Sequence, residues 1–260
     1  MLWSQLEKRF VFFPSTELLY TPNNAGLEYE DVRIQTSDGL TLHGWFIPGD
    51  PEVVPNTTWL WFHGNGGNNG YRVDELASAH HLTGANLFIF DYRGYGESEG
   101  RPSEQGTYLD SRAVIAYLSG RDDVAQDQIV YLGHSLGAAV AVELALARPP
   151  MAMMLVSPFA SVRDMASITL PFLPVAWLVR NHYDSLTRIR QLNVPLLVLH
   201  GDQDETVPLS QGRKLYDAAN EPKRFQVLAG AAHNNTYEVG GEQYWGAIEE
   251  FLGELQPKDK

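Results

Sequence analysis

Apolar residues are distributed along the chain in two alternating patterns. Short β-branched and aromatic runs fall at 31–36, 40–47, 58–62, 86–90, 129–132, 153–156, 196–200 and 225–228 and predict eight strands. Longer stretches at 71–82, 103–118, 136–147, 209–219 and 243–255 carry apolar positions at helical spacing and predict five helices. From the third strand onward strand and helix take turns, which calls for a mostly parallel sheet covered by helices on both faces. Ser37-Asp38-Gly39 joins the first two strands as a hairpin turn, so the leading edge of the sheet is expected to be antiparallel.

The alternation breaks over 158–192. Phe159, Met165, Ile168, Leu170, Phe172, Leu173, Val175, Trp177 and Leu178 make this stretch too apolar for a solvated connection. It reads as a small cap of one or two short helices, broken at Pro171 and Pro174, inside a single domain spanning 1–260. The competing reading is an ordinary crossover helix with a long approach loop. If the segment is a cap, Phe159, Phe172 and Trp177 line a substrate pocket, open and shallow because the insert is short.

Candidate chemistry lies where these elements meet. Gly133-His134-Ser135-Leu136-Gly137 stands between a predicted strand and a predicted helix, which makes Ser135 a nucleophile held in a sharp turn. The base and its orienting carboxylate should follow in the order acid, histidine. Asp202 and Asp204 follow the strand at 196–200, and His233 follows the strand at 225–228; strand carboxyl ends are where such sheets place their chemistry. Asp204, further into its loop, is better placed to reach a histidine, whereas Asp202 is expected to bond amides of its own turn. His63 and His200 end strands and read as imidazoles bonded to loop backbone. His134, the variable position of the motif, reads as a local packing residue. His63-Gly64-Asn65-Gly66-Gly67-Asn68 supplies a glycine-rich turn, so the amides of Asn65 and Leu136 become the candidate donors to an oxyanion. No HExxH helix or Cys/His spacing of a metal site is present, and no phosphate-loop spacing, so neither metal nor cofactor is expected.

Together with Asp38-Gly39-Leu40-Thr41-Leu42-His43-Gly44-Trp45, Asp91-Tyr92-Arg93-Gly94-Tyr95-Gly96-Glu97-Ser98-Glu99-Gly100 and Gly201-Asp202-Gln203-Asp204-Glu205-Thr206-Val207-Pro208, these motifs resemble the α/β-hydrolase superfamily in its order. The likeness spans about 29–255. Within the superfamily it is similar to the membrane-associated serine hydrolases of the Bem46-like and ABHD-type group and to related bacterial carboxylesterases. The resemblance implies an α/β-hydrolase fold, a Ser135–Asp204–His233 triad, an oxyanion hole of the Asn65 and Leu136 amides, and structural roles for Asp91 and Arg93. Relatives of the membrane-associated branch usually carry a spanning or signal segment before the element that reads Phe12-Phe13-Pro14-Ser15 here. In this chain Glu7, Lys8 and Arg9 interrupt the apolar residues ahead of it. No run approaches the ~20 residues a spanning helix needs, which leaves at most a weak membrane-surface contact through the N-terminus.

Bulk properties narrow the partners. A net charge of −13 argues against nucleic acid and anionic lipid as main partners. The absence of cysteine excludes disulfides and thiol catalysis but suits cytosol or periplasm equally. A cytoplasmic place is expected for the sequence as given, and a membrane-associated or periplasmic one if an N-terminal segment has been removed. The expectation is a serine carboxylesterase acting on small short-chain esters through an acyl-enzyme. The alternatives are an acyl-protein thioesterase, a serine aminopeptidase, and a non-catalytic binding protein on the same fold.

Overall fold

The computed structural model describes residues 11–50, 57–169 and 181–255. Its main sheet has eight strands: β1 (Glu30–Gln35), β2 (Thr41–Ile47), β3 (Thr58–Phe62), β4 (Asn86–Phe90), β5 (Ile129–His134), β6 (Ala152–Val156), β7 (Leu196–Gly201) and β8 (Lys223–Leu228). Their spatial order is β8-β7-β6-β5-β3-β4-β2-β1. β2 pairs antiparallel with both β1 and β4, and every other pairing is parallel. The expected antiparallel leading edge is therefore present.

Seven helices are described: α1 (Val73–Thr83), α2 (Glu104–Ser119), α3 (Leu136–Ala147), α4 (Val162–Thr169), α5 (Ser185–Ile189), α6 (Leu209–Ala218) and α7 (Thr236–Leu255). Strand alternation sorts the core into two halves. Trp59 and Trp61 of β3 and Leu87 and Ile89 of β4 pack under α1 and α7, with Val73, Leu76, Tyr244 and Ile248. Leu60, Phe62, Phe88 and Phe90 face the other way, with Tyr108, Val114, Val140, Ile189 and Leu215 from α2, α3, α5 and α6. α3 is apolar on nearly all sides because it is buried on nearly all sides.

Two local features depart from expectation. α7 begins at Thr236 rather than 243, because its first turn precedes a break at Gly241 (φ 44°, ψ −120°) that the glycine pair disguises as a loop. In addition, Phe13–Pro14 pairs in parallel with Gly66–Gly67 as a separate two-stranded ribbon, laying the N-terminal segment along the glycine-rich turn.

The stretch 158–192 carries two short helices, α4 and α5, in its described parts. Its outgoing and returning arms are joined by Val162 N–H donating to the His182 carbonyl (2.9 Å) and Leu186 N–H donating to the Ala160 carbonyl (3.0 Å). The Glu104 carboxylate holds the returning arm by accepting from the amides of His182 (2.6 Å) and Tyr183 (2.9 Å). Phe172 and Trp177 lie outside the described residues. Phe159 is buried in the core half that contains α3.

Candidate active site

β5 passes into α3 without a loop: His134 is the last strand residue and Leu136 the first helical one. Ser135 makes the reversal at φ 53°, ψ −111°, backbone that costs a side-chain-bearing residue about 1–3 kcal/mol. The reversal is tight enough to dictate its neighbours. A Cβ at position 133 would sit 2.6 Å from Ala138 Cα, and one at 137 would sit 1.9 Å from the Phe62 carbonyl oxygen. Glycine is the residue that fits both.

Asp204 arrives on the loop after β7 and His233 on the loop after β8. The two loops are knitted together. Gln203 N–H donates to the Ala231 carbonyl (3.0 Å), and a Cβ on Gly201 would meet that carbonyl oxygen at 2.1 Å. Asp202 differs from its expected role. Its Oδ1 accepts from Gly230 N–H in the histidine loop (2.7 Å), not from an amide of its own turn, because the parallel pairing of β7 and β8 brings the loops side by side.

The three residues form one line. His233 Nε2 lies 3.1 Å from Ser135 Oγ, and His233 Nδ1 lies 2.7 Å from Asp204 Oδ2. The other carboxylate oxygen of Asp204 accepts from the amides of Thr206 (2.9 Å) and Val207 (2.7 Å). Burial pushes the Asp204 carboxyl up. The hydrogen bond and charge of His233 with the Val207 amide outweigh it, so the group stays below its ordinary value and remains ionised near neutrality. All three are nearly buried, at 6% exposed for Ser135, 8% for Asp204 and 7% for His233, so the line works in a low dielectric.

Two further histidines flank it and are kept neutral. His134 Nε2–H donates to the His233 carbonyl (3.0 Å), and burial holds its pKa well below the usual value. His200 Nε2–H donates to the Val207 carbonyl (2.8 Å), with its pKa likewise lowered by burial. Both hold backbone of the loops that carry the line.

The turn after β3 lies against the reversal: a Cβ on Gly64 would be 3.5 Å from His134 Nδ1 and 3.7 Å from the His134 carbonyl oxygen. Leu136 is the first residue of α3, where a helix leaves the N–H without an internal partner and its positive end favours negative charge. Sequence reasoning did not foresee how heavily the turn is supported from behind. Tyr92 Oη–H donates to the His63 carbonyl (3.0 Å), and His63 Nδ1–H to the Gly64 carbonyl (2.6 Å). Tyr95 Oη–H donates to the Asn65 carbonyl (2.9 Å), Arg72 Nη2 to the Gly66 carbonyl (3.1 Å), and Ser15 N–H to the Gly67 carbonyl (3.0 Å). Such contacts leave no sequence motif.

Arg93 is structural. It spans Asp110 Oδ1 (2.8 Å) and Asp38 Oδ2 (2.8 Å), pinning the hairpin turn to α2. Asp91 takes no part in that pair: its Oδ1 accepts from Asn69 N–H (2.9 Å) and lies 3.4 Å from His63 Nε2. Two surface clefts of about 510 and 500 Å³, one beside Glu104 and Arg188 and one between β1 and α2, contain no residue of the Ser–His–Asp line. Among the described residues no group of His, Cys, Asp or Glu could hold a metal ion, and no helix is long and apolar enough to cross a membrane.

The strand order, with β3 central and the serine reversal at the carboxyl edge of β5, defines a class, and the chain belongs to the α/β-hydrolase family. The profile of the alpha/beta hydrolase fold matches residues 60–177, and that of the serine aminopeptidases matches residues 175–240. The uncharacterised protein Rv2307c of Mycobacterium tuberculosis is 41% identical over 257 residues, covering 97% of this chain and 89% of that protein. Protein bem46 of Schizosaccharomyces pombe is 32% identical over 251 residues, covering 92% and 82%. Among solved structures, the Pyrococcus furiosus esterase Pf2001 superposes with a TM-score of 0.75 at 23% identity, over 94% of this chain and 97% of that one.

Proposed function

We propose that the protein is a serine carboxylesterase that cleaves short-chain esters through an acyl-enzyme. The observation that carries this reading is the Ser135–His233–Asp204 line, with contacts of 3.1 and 2.7 Å. Ser135 Oγ attacks the ester carbonyl carbon while His233 Nε2 takes the hydroxyl proton. The same imidazolium then protonates the departing alkoxide, leaving the acyl group on Ser135. Water repeats the attack with His233 again as base, releasing the carboxylic acid and restoring the serine. Asp204 fixes the imidazole with Nδ1–H toward itself and balances the imidazolium charge. The amides of Asn65 and Leu136 take the oxyanion, each worth about 2.7–4 kcal/mol to the transition state.

The small number of residues available to the 158–192 insert supports a shallow acyl site, so kcat/KM is expected to peak near C2–C6 acyl chains. Each methylene left in water forgoes about 0.8 kcal/mol of burial. Labelling by a fluorophosphonate probe, p-nitrophenyl esters of graded length and Ser135→Ala test the reading together. Ser135→Ala should abolish labelling and cut kcat by about 10⁴–10⁶. Fastest cleavage of palmitoyl thioesters would move the activity to an acyl-protein thioesterase. The aminopeptidase profile over 175–240 favours a second reading, which amino-acid p-nitroanilides cleaved in preference to esters would select.

A further inference from the structure

At the edge of the candidate oxyanion turn lies a cation without a counter-charge bonded to it. Arg72 Nη2 donates to the Gly66 carbonyl (3.1 Å) and lies 3.8 Å from where a Cβ on Gly64 would stand. The guanidinium therefore bears on the residues either side of Asn65, whose N–H is the candidate donor. Consecutive Cα atoms are about 3.8 Å apart, so the charge sits within roughly two residue lengths of that N–H. Arg72 Nε is closed off from solvent and meets no acceptor. Among the described residues no carboxylate bonds to the guanidinium; Glu75 and Asp91 act on it through space. Each of those carboxyls is engaged elsewhere, Glu75 Oε1 by Tyr244 Oη–H (3.2 Å) and Asp91 Oδ1 by Asn69 N–H (2.9 Å). Burial draws the guanidinium below its ordinary value, but arginine titrates so high that it stays charged. An unpaired buried cation destabilises the resting protein, and that cost is offset when negative charge forms beside it.

We infer that Arg72 supplies a fixed positive charge to the tetrahedral oxyanion, acting through space beside the N–H donors of Asn65 and Leu136. The inference rests on the serine-esterase reading of the site. Negative charge appears on the former carbonyl oxygen only as Ser135 Oγ adds to the carbon. A cation already held in place meets that charge without reorganisation. The same cation would oppose an imidazolium on His233, and the His134 ring intervenes. Its Nδ1 edge lies 3.5 Å from the same Gly64 Cβ position, while its Nε2–H donates to the His233 carbonyl (3.0 Å). A neutral ring thus separates the cation from the loop that carries the base.

The test compares the full-length wild type with Arg72→Lys, which keeps the charge, and Arg72→Gln, which keeps amide donors and loses it. Steady-state kinetics on p-nitrophenyl butyrate, affinity for an alkyl trifluoromethyl ketone that forms a tetrahedral adduct, and thermal unfolding are read for each. Arg72→Gln should lose about 10- to 100-fold in kcat with KM within about twofold, and should bind the ketone weaker by a similar factor. Arg72→Lys should stay within about threefold of wild type in both. A bracing role on the Gly66 carbonyl would instead impair the two variants alike. A folded Arg72→Gln that loses less than tenfold, or an Arg72→Lys as impaired as Arg72→Gln, overturns the inference.

If Arg72→Gln does not fold, Glu75→Gln decides, because it removes the nearest charge that opposes Arg72. Burial keeps Tyr92 and Tyr237 beside Arg72, and Tyr244 beside Glu75, protonated between pH 5 and pH 8.5. His134 stays neutral through burial, Asp91 stays ionised because its hydrogen bonds outweigh its burial, and Glu238 is exposed to screening solvent. Glu75 is then the buried group of this cluster that gains charge over the range. The kcat of Glu75→Gln relative to wild type should rise about two- to threefold from pH 5 to pH 8.5, and a flat ratio overturns the inference. A wild type that labels at Ser135 and turns over esters while these variants keep its rates defeats this inference alone. A wild type that does neither defeats the esterase reading, and this inference with it.

Discussion

At the scale of single residues, the two aspartates two positions apart show how placement divides like chemistry. Asp204 Oδ2 meets His233 Nδ1, while Asp202 Oδ1 holds the Gly230 amide and stays exposed. Asp204→Asn should leave the protein folded and lower kcat by about 10⁴, because an amide favours the wrong imidazole tautomer and cannot balance an imidazolium. Asp202→Asn should lower the melting temperature by a few degrees and leave kcat within a small factor, since it weakens one exposed inter-loop bond. Kinetics and thermal unfolding of the two purified variants check both, and a reversed pattern would show the wrong carboxylate in the relay. Ser135, Asp204 and His233 were legible because each follows a predicted strand, in an order and spacing the chemistry requires. His63 was legible as an imidazole bonded to loop backbone and Asp91 as structural, and the Gly64 carbonyl and the Asn69 amide are the partners the fold supplies. Arg72 was not legible, because the Gly66 carbonyl it reaches is brought to it only by the folded turn.

At the scale of elements, the eight strands were readable because β-branched and aromatic runs mark buried strands, and Gly and Asp mark their ends. The ribbon of Phe13–Pro14 with Gly66–Gly67 has too few residues to show a period, and the start of α7 hides behind Gly240-Gly241. That ribbon ties the N-terminal segment to the candidate oxyanion turn through Asn68, which is fully buried. Asn68 Nδ2 donates to the carbonyls of Ser15 (3.1 Å) and Glu17 (2.8 Å), and its Oδ1 accepts from Gly70 N–H (3.0 Å). Asn68→Ala removes all three bonds of a fully buried side chain, a loss of about 2–3 kcal/mol. The melting temperature should fall by roughly 5–10 °C, and limited proteolysis should open the chain between residues 15 and 20. A variant as heat-stable and protease-resistant as wild type would mean that the ribbon's backbone bonds and the burial of Phe12 hold the segment without Asn68.

At the scale of the whole molecule, a buried charge cluster lies where α1 meets α7, on the sheet face that both helices cover, and its Arg72 reaches the candidate oxyanion turn. Arg72 precedes α1, Glu75 lies in its first turn, and Tyr244 Oη–H reaches Glu75 Oε1 from α7 at 3.2 Å. Burial raises the Glu75 carboxyl from 4.5 to about 7, against the opposing pull of Arg72 and the Tyr244 hydroxyl. The sign of its effect on stability follows from that direction. Between about pH 4.5 and 7 the folded protein holds a proton that the unfolded chain has released, so this group costs stability progressively as pH rises through that window. The cost levels off above it, at no more than on the order of 3–4 kcal/mol. Glu75→Gln keeps the shape and cannot ionise. Its melting temperature relative to wild type should therefore rise between pH 5 and pH 8.5, by several degrees for a protein of this size. The general repulsion of a chain carrying −13 charges also grows over that range, but it acts on both proteins alike and cancels in the difference. A difference that stays flat across the range, or that narrows toward pH 8.5, would show that Arg72 fully compensates an ionised Glu75, making the pair a permanent buried ion pair rather than a titrating one.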